Sequence, residues 1–335
     1  QGAVLDISGG KVEYTADTVA PTELITANGD IVSIADADSD LAYAGVVGPV
    51  TVSYEKWGVE EVFGNSNAFL EPGYVHGFDA GTLYINAPEI KLDGQIVANT
   101  TSGIFQRYAP DDLGDQRFAA ISRDYQQVPL GGELIVRHLN DQLPDVILGE
   151  DDGQAPADNG HPLSGYGSLV LSADMFGEQG ITRLDVGNAG RIIINRELDM
   201  GAYGSIDALG TQVLVDADVR SAGGDVKLVS SPVLDNGETA LIPSLQTLGP
   251  EFENGGSAIS NTSLVRIDAS IDLSGDWQND SAAVNPAEPA TDAIITDGGS
   301  LKVTSAGDVT ITDNSLVDVS GGAHLDAEGD FTTGK

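Results

Sequence analysis

The chain has 335 residues and a formal net charge of −37, from 52 acidic against 15 basic side chains, with 42 glycines, 6% aromatic residues and no cysteine. Such acidity argues against nucleic acid or an anionic membrane surface as partner, because phosphate binding needs a cationic face. The lack of cysteine excludes a disulfide scaffold and thiolate metal sites, and no apolar run approaches the ~20 residues of a spanning helix. Small apolar residues mixed with Asp and Gly, 41% hydrophobic in all, suit stacked short strands joined by tight turns better than one large globular core.

In chain order, the first element is Leu5-Asp6-Ile7-Ser8-Gly9-Gly10. It returns as Ile271-Asp272-Leu273-Ser274-Gly275-Asp276 and as Val317-Asp318-Val319-Ser320-Gly321-Gly322. Period-two alternation puts both aliphatic residues on one face, and the glycine permits a turn. Asp36, Asp38 and Asp40 follow, with the alternating oxygens of a calcium loop. An EF-hand needs Gly at the sixth place and Glu at the twelfth, and those places hold Leu41 and Val47. Only a looser calcium site stays open there.

Residues 41–78 break the pattern, with a β-run at Val50–Tyr54 and many of the aromatics. Coils of short strands are predicted at Gly81–Ala98, Gly167–Val186, Gly190–Ala208, Thr211–Val229 and from Gly298 onward. Between them, 99–131, 140–166, 232–260 and 276–298 are predicted to leave the coils as insertions decorating one face. A β-sandwich would alternate likewise, but triplets of short strands recur near both ends and in the middle. The prediction is one all-β parallel β-helix over 1–335, with Ile192, Ile194, Val213, Val215, Val226, Leu228, Val309 and Ile311 pointing into its interior.

The segment Glu71-Pro72-Gly73-Tyr74-Val75-His76-Gly77-Phe78-Asp79-Ala80-Gly81 resembles a sequence of the filamentous-haemagglutinin family of large exported adhesins. Lys56-Trp57-Gly58-Val59-Glu60, Leu92-Asp93-Gly94, Phe105-Gln106-Arg107, Pro129–Leu134 and the closing Val319–Gly322 with His324-Leu325-Asp326 are similar to that family too. The resemblance implies a right-handed parallel β-helix, export through an outer-membrane pore of the two-partner type, and a non-catalytic extracellular role in a surface or released fibre. Partners would be a cell-surface glycan or protein receptor. No catalytic or cofactor-binding residue is implied. With Gln1 at the first position and the same motif near both ends, the chain reads as an intermediate segment. Its ends would meet further coils of the same polypeptide or head-to-tail copies.

A β-helical enzyme acting on, or a module binding, polysaccharide is the alternative. Arg107, Arg117, Arg123, Arg137 and His138 could serve an acidic sugar, but neighbouring acids such as Asp111, Asp112 and Asp124 are expected to neutralise them. Asp111-Asp112 and Glu150-Asp151-Asp152 place carboxylates side by side, as glycosidases require, yet no aromatic platform surrounds them. The histidines, at 76, 138, 161 and 324, are too scattered to suggest a zinc set.

Overall fold

The structure is a computed structural model that describes residues 2–19, 22–48, 50–63, 69–87, 89–92, 94–110, 125–138, 144–150, 168–231, 263–281 and 292–335. Among them the regular elements are all β-strands, apart from single 3₁₀ turns at Ile34–Asp36 and Ala173–Met175. No helix is long and apolar enough to cross a membrane. The chain divides into two units, one of residues 1–12 with 76–335 and the other of Glu13–Val75.

The larger unit is dominated by one curled, ten-stranded sheet whose pairings are all parallel. Its first row holds Thr82–Ala87, Gly132–His138, the leading half of Ile181–Ile194, the leading half of Ser205–Val215, Asp225–Ser230 and Ser300–Ser305. The two long strands then bend, with a register shift between Val186 and Ala189, and their trailing halves enter a second row. That row adds Ser168–Leu171, Asp145–Leu148, Leu264–Ile267 and Asp308–Ile311. A third, short row stacks Leu198–Asp199, Val219–Arg220, Ile271–Asp272 and Val317–Asp318. Where nothing is inserted, the chain returns to the same row after about twenty residues, as from Leu184 to Ile206 to Val226.

Alternation and register together make columns. In the first row Leu83, Leu134, Leu184, Ile206, Val226 and Leu301 lie one above another. In the second row one column is Leu169, Val146, Ile192, Val213, Val265 and Val309, and the next is Leu171, Leu148, Ile194, Val215, Ile267 and Ile311. These columns run through one contiguous core. Branched aliphatic side chains suit this pleated, doubly flanked surface, and each fully buried one contributes roughly 1.5–3 kcal/mol.

Six of the eight side chains predicted to point inward are buried: Ile192, Ile194, Val213, Val215, Val226 and Leu228. Val309 and Ile311 are not, at 49% and 58% exposed, although Val265 and Ile267 directly beneath them are at 0%. Alternation places the last pair on the correct face, but among the described residues no further strand pairs over them.

The order of the second row departs from chain order. Ser168–Leu171 follows Asp145–Leu148 in sequence yet pairs on its far side, away from Ile192–Ile194. It thereby sits one tier below its place in the chain, at the level of Thr82–Ala87. The corners between rows are tight. A methyl group on Gly224 would sit 2.5 Å from the Gly204 carbonyl oxygen, and one on Gly299 would overlap the Gly224 carbonyl. The three repeated corners, read in the sequence as glycine turns, close through aspartate with no positive φ at Gly9, Gly275 or Gly321: Ser8, Ser274 and Ser320 donate their amides to Oδ1 of Asp6, Asp272 and Asp318, at 2.9, 3.1 and 2.9 Å.

Residues 276–298, predicted as an insertion, contribute to the packing. Trp277–Asn279 pairs parallel with Ala323–Leu325, which pairs antiparallel with Phe331–Thr333. Ile295 joins Val128, Leu130 and Tyr203 in a second, smaller core, and its neighbour Ile294 is buried too. Burial of those two isoleucines overrides the loop-like composition around them. The predicted insertion 232–260 lies outside the described residues, as does most of 140–166.

The unit Glu13–Val75 is antiparallel. Glu23–Ile25 pairs with both Ile31–Ser33 and Gly45–Val47, Val50–Tyr54 forms a hairpin with Val59–Phe63, and Asp17–Val19 pairs with Phe69–Glu71. The departure from parallel tiers therefore begins well before the predicted residue 41. Tyr14 stacks on Tyr74 with ring centroids 4.6 Å apart.

Candidate functional site

Polar chemistry within the larger unit concentrates on Gln106 and Arg107, at the head of the 99–131 insertion. Gln106 is 1% exposed and fully engaged. Its Oε1 accepts from the amides of Gly77 at 2.7 Å and Gly103 at 3.0 Å, and its Nε2 donates to the carbonyls of Gly77 at 2.9 Å and Gln127 at 3.1 Å. A buried amide side chain is stable only when so satisfied. It fastens three backbone segments to one another.

Arg107 points the other way. Its Nη2 meets Asp280 Oδ2 at 2.5 Å, and its Nε donates to the Asp292 carbonyl at 2.8 Å. With the Gln278 amide turned to satisfy both of its ends, its oxygen accepts from Arg107 Nη2 at 2.8 Å and its nitrogen donates to the Ala293 carbonyl at 3.0 Å. His324 Nε2 lies 2.9 Å from the same Asp280 Oδ2. The Arg107, Asp280 and His324 side chains are all largely buried, at 15%, 9% and 11% exposed. Burial works to raise the Asp280 pKa, but the hydrogen bonds from Arg107 and His324, with the charges of both, hold it below the ordinary carboxylate value.

Tyr203 lies in the adjoining small core. It is the one non-glycine among the described residues with a positive φ, at 55°, a conformation that costs on the order of 1 kcal/mol or more. Its amide donates to the Ala222 carbonyl at 2.9 Å and its hydroxyl to the Ile294 carbonyl at 2.9 Å. Burial first, then the nearby charges of Asp297 and Asp276, push its pKa up to about 12.

Such an arrangement binds segments together more readily than it transfers protons. Asp280 is held charged by two donors and is poorly placed to act as an acid near neutrality. Tyr203 stays neutral and donates to a backbone carbonyl. Two more arginines among the described residues are committed likewise. Arg137 pairs with Asp185 at 2.5 Å, and Arg191 grips Asp145 Oδ2 through Nε at 3.0 Å and Nη2 at 2.6 Å.

The acids that neutralise Arg107 and Arg137 are thus distant in sequence, Asp280 and Asp185, where the sequence suggested Asp111, Asp112 and Asp124. Those three, with Arg117, Arg123, Asp151, Asp152, His161 and the side chain of His138, lie outside the described residues. Glu150 is exposed and paired with Arg196 at 2.6 Å. Asp36, Asp38 and Asp40 are exposed, and Asp38 Oδ1 accepts from the Asp40 amide at 2.9 Å. Among the described residues no group of three or more His, Cys, Asp or Glu could hold a metal ion.

Sequence reading missed Asp280 and His324. One signal could have found His324: Gln278 and His324 are separated by 46 residues (278 to 324), the same offset as Ile271 and Val317 (271 to 317). Extending the motif by seven residues would have aligned them. Asp280 carries no such signal. Comparisons with protein-family models, with curated proteins and with solved structures return no match.

Proposed function

We propose that this chain is a stretch of right-handed parallel β-helix that serves as a non-catalytic structural segment of an extracellular adhesive fibre, of the filamentous-haemagglutinin type. The observation that carries the reading is the set of in-register columns, up to six residues deep, closed in the last two tiers of the third row by the same Asp-x-Ser corner. Similar tiers joined by backbone bonds resist extension along their axis, which is what a projecting fibre demands. The buried polar groups support the same reading, since Gln106, Arg107, Arg137 and Arg191 each spend their donors on holding distant segments of the chain together. In this reading the segment passes an outer-membrane pore before folding and acts at the cell surface or beyond it. Recognition of a glycan or protein receptor then belongs to the parts of the chain that leave the tiers.

The test pairs two assays on the purified chain. Beads coated with it should adhere to host cells above beads coated with an unrelated acidic protein. The same preparation should release no reducing ends from a panel of acidic and neutral polysaccharides. Release of sugar that a single carboxylate substitution abolishes would replace this reading with the enzymatic one.

A further inference from the structure

The unit Glu13–Val75 has strands but no hydrophobic core among its described residues. Its three-stranded sheet sets Leu24, Val32 and Val46 side by side on one face, and Ile25, Ile31 and Val47 on the other. None of the six is buried, and Val46 and Ile31 are 61% and 59% exposed. Elsewhere in the unit Leu41, Trp57 and Leu70 are also more than half exposed. The buried residues of both cores begin at Ala80, and Glu23 is the one described residue from Glu13 to Val75 that is buried.

An antiparallel sheet with one face in water keeps that face polar, and a small sheet needs its apolar face covered to be stable. Here both faces carry aliphatic residues and neither buries one. Contiguous exposure of this kind marks an interaction surface.

Charge decides what can cover it. The unit holds eleven acidic side chains and one basic side chain, Lys56, so it carries −10 of the chain's −37 and the remainder carries −27. All the acids except Glu23 are exposed, including Asp30, Asp36, Asp38 and Asp40 in the loops that join the three strands. A second copy of this chain would bring like charge to the contact, and so would a polyanionic glycan or an anionic membrane. A basic protein surface that also bears apolar side chains meets both demands at once.

We propose that the three-stranded sheet of Glu13–Val75 is a docking face for an extended, apolar segment of a partner protein that is rich in lysine or arginine. The partner's apolar side chains cover the exposed aliphatic residues, and its cations meet the aspartates of the connecting loops. In naming the chemistry of the receptor, the inference rests on the adhesive reading.

The test uses the whole chain and a fluorescent peptide of alternating lysine and valine, followed by anisotropy at physiological ionic strength. Binding should saturate, weaken with added salt, and protect the amides of Glu23–Ile25, Ile31–Ser33 and Gly45–Val47 from exchange. Ile31→Thr combined with Val46→Thr should weaken it at least about tenfold. Both changes replace one β-branched residue with another at exposed sites, so the strand-rich circular dichroism of the parent should persist. Asp36→Asn, Asp38→Asn and Asp40→Asn together should weaken binding by a similar factor. A lysine–serine peptide, a glutamate–valine peptide and phosphatidylcholine vesicles should each bind at least about tenfold more weakly than the lysine–valine peptide. Any of those probes binding as well, binding unchanged by the threonine pair, protection confined to other strands, or self-association of the chain that protects these same strands would overturn the proposal. Peptide binding without adhesion of coated beads to cells would strike the fibre reading and keep the docking face. Adhesion without peptide binding would do the reverse.

Discussion

Ile267 and Ile311 offer a controlled comparison, because they are the same residue in the same column, one tier apart. Ile267 is at 0% exposure between Val215 and Ile311, whereas Ile311 is 58% exposed with no strand above it among the described residues. Replacing Ile267 by Ala removes buried methyl groups and leaves an enclosed cavity, at a cost of about 3 kcal/mol. At Ile311 less than half of the side chain's burial is at stake, and water fills the space, so Ile311→Ala should cost about 1 kcal/mol. The difference of roughly 2 kcal/mol is read from denaturant midpoints. A stack of tiers need not unfold in one step. Amide exchange within Leu264–Ile267 and Asp308–Ile311 therefore serves as the local readout. Equal losses at the two sites would refute the reasoning, since residue identity would then outweigh position in the stack.

Gly224→Ala should destabilise the chain by about 2 kcal/mol or more, because the new methyl would press on the Gly204 carbonyl at 2.5 Å; a thermal melt reads it, and an unchanged midpoint would mean that the corner can relax. Tyr203→Phe loses the 2.9 Å bond to the Ile294 carbonyl and should cost about 1 kcal/mol at neutral pH. Since the folded pKa is raised to about 12, that contribution is present below the unfolded value of about 10 and is lost as pH rises through about 12. Ultraviolet titration should accordingly show one late-ionising tyrosine that is missing from the variant. Asp280→Asn should cost about 2 kcal/mol near neutrality, less than for a fully dry pair because Arg107 keeps some access to water. The folded Asp280 pKa is lowered, so its contribution is present above the unfolded value of about 3.9 and is lost as pH falls through the folded one. Parent and variant should converge in acid, and a constant gap down to that range would argue against the ion cluster.

The legible part of this protein is what a short window of sequence encodes. Alternation at Ile192–Ile194, Val213–Val215 and Val226–Leu228 fixes which side chains share a face, because successive residues of a strand must point to opposite sides. The Asp-x-Ser corners are equally local, since the aspartate closes on an amide two residues away. The alternation survived from sequence to structure at the positions where it was read, whereas the turn, read from the glycine, is closed by the aspartate.

What lies over what was decided by the tertiary structure. The placement of Ser168–Leu171 on the far side of Asp145–Leu148, the exposure of Val309 and Ile311, and the meeting of Arg107 with Asp280 and His324 all depend on which tiers become neighbours. Closing a longer loop costs only slowly more entropy, so inserted segments let strands of similar pattern settle at different levels with little local penalty. Sequence by itself therefore determined the face, the corner and the strand, while the packing of the whole chain determined the neighbour, because an alternating strand specifies what it must bury but not the partner that buries it.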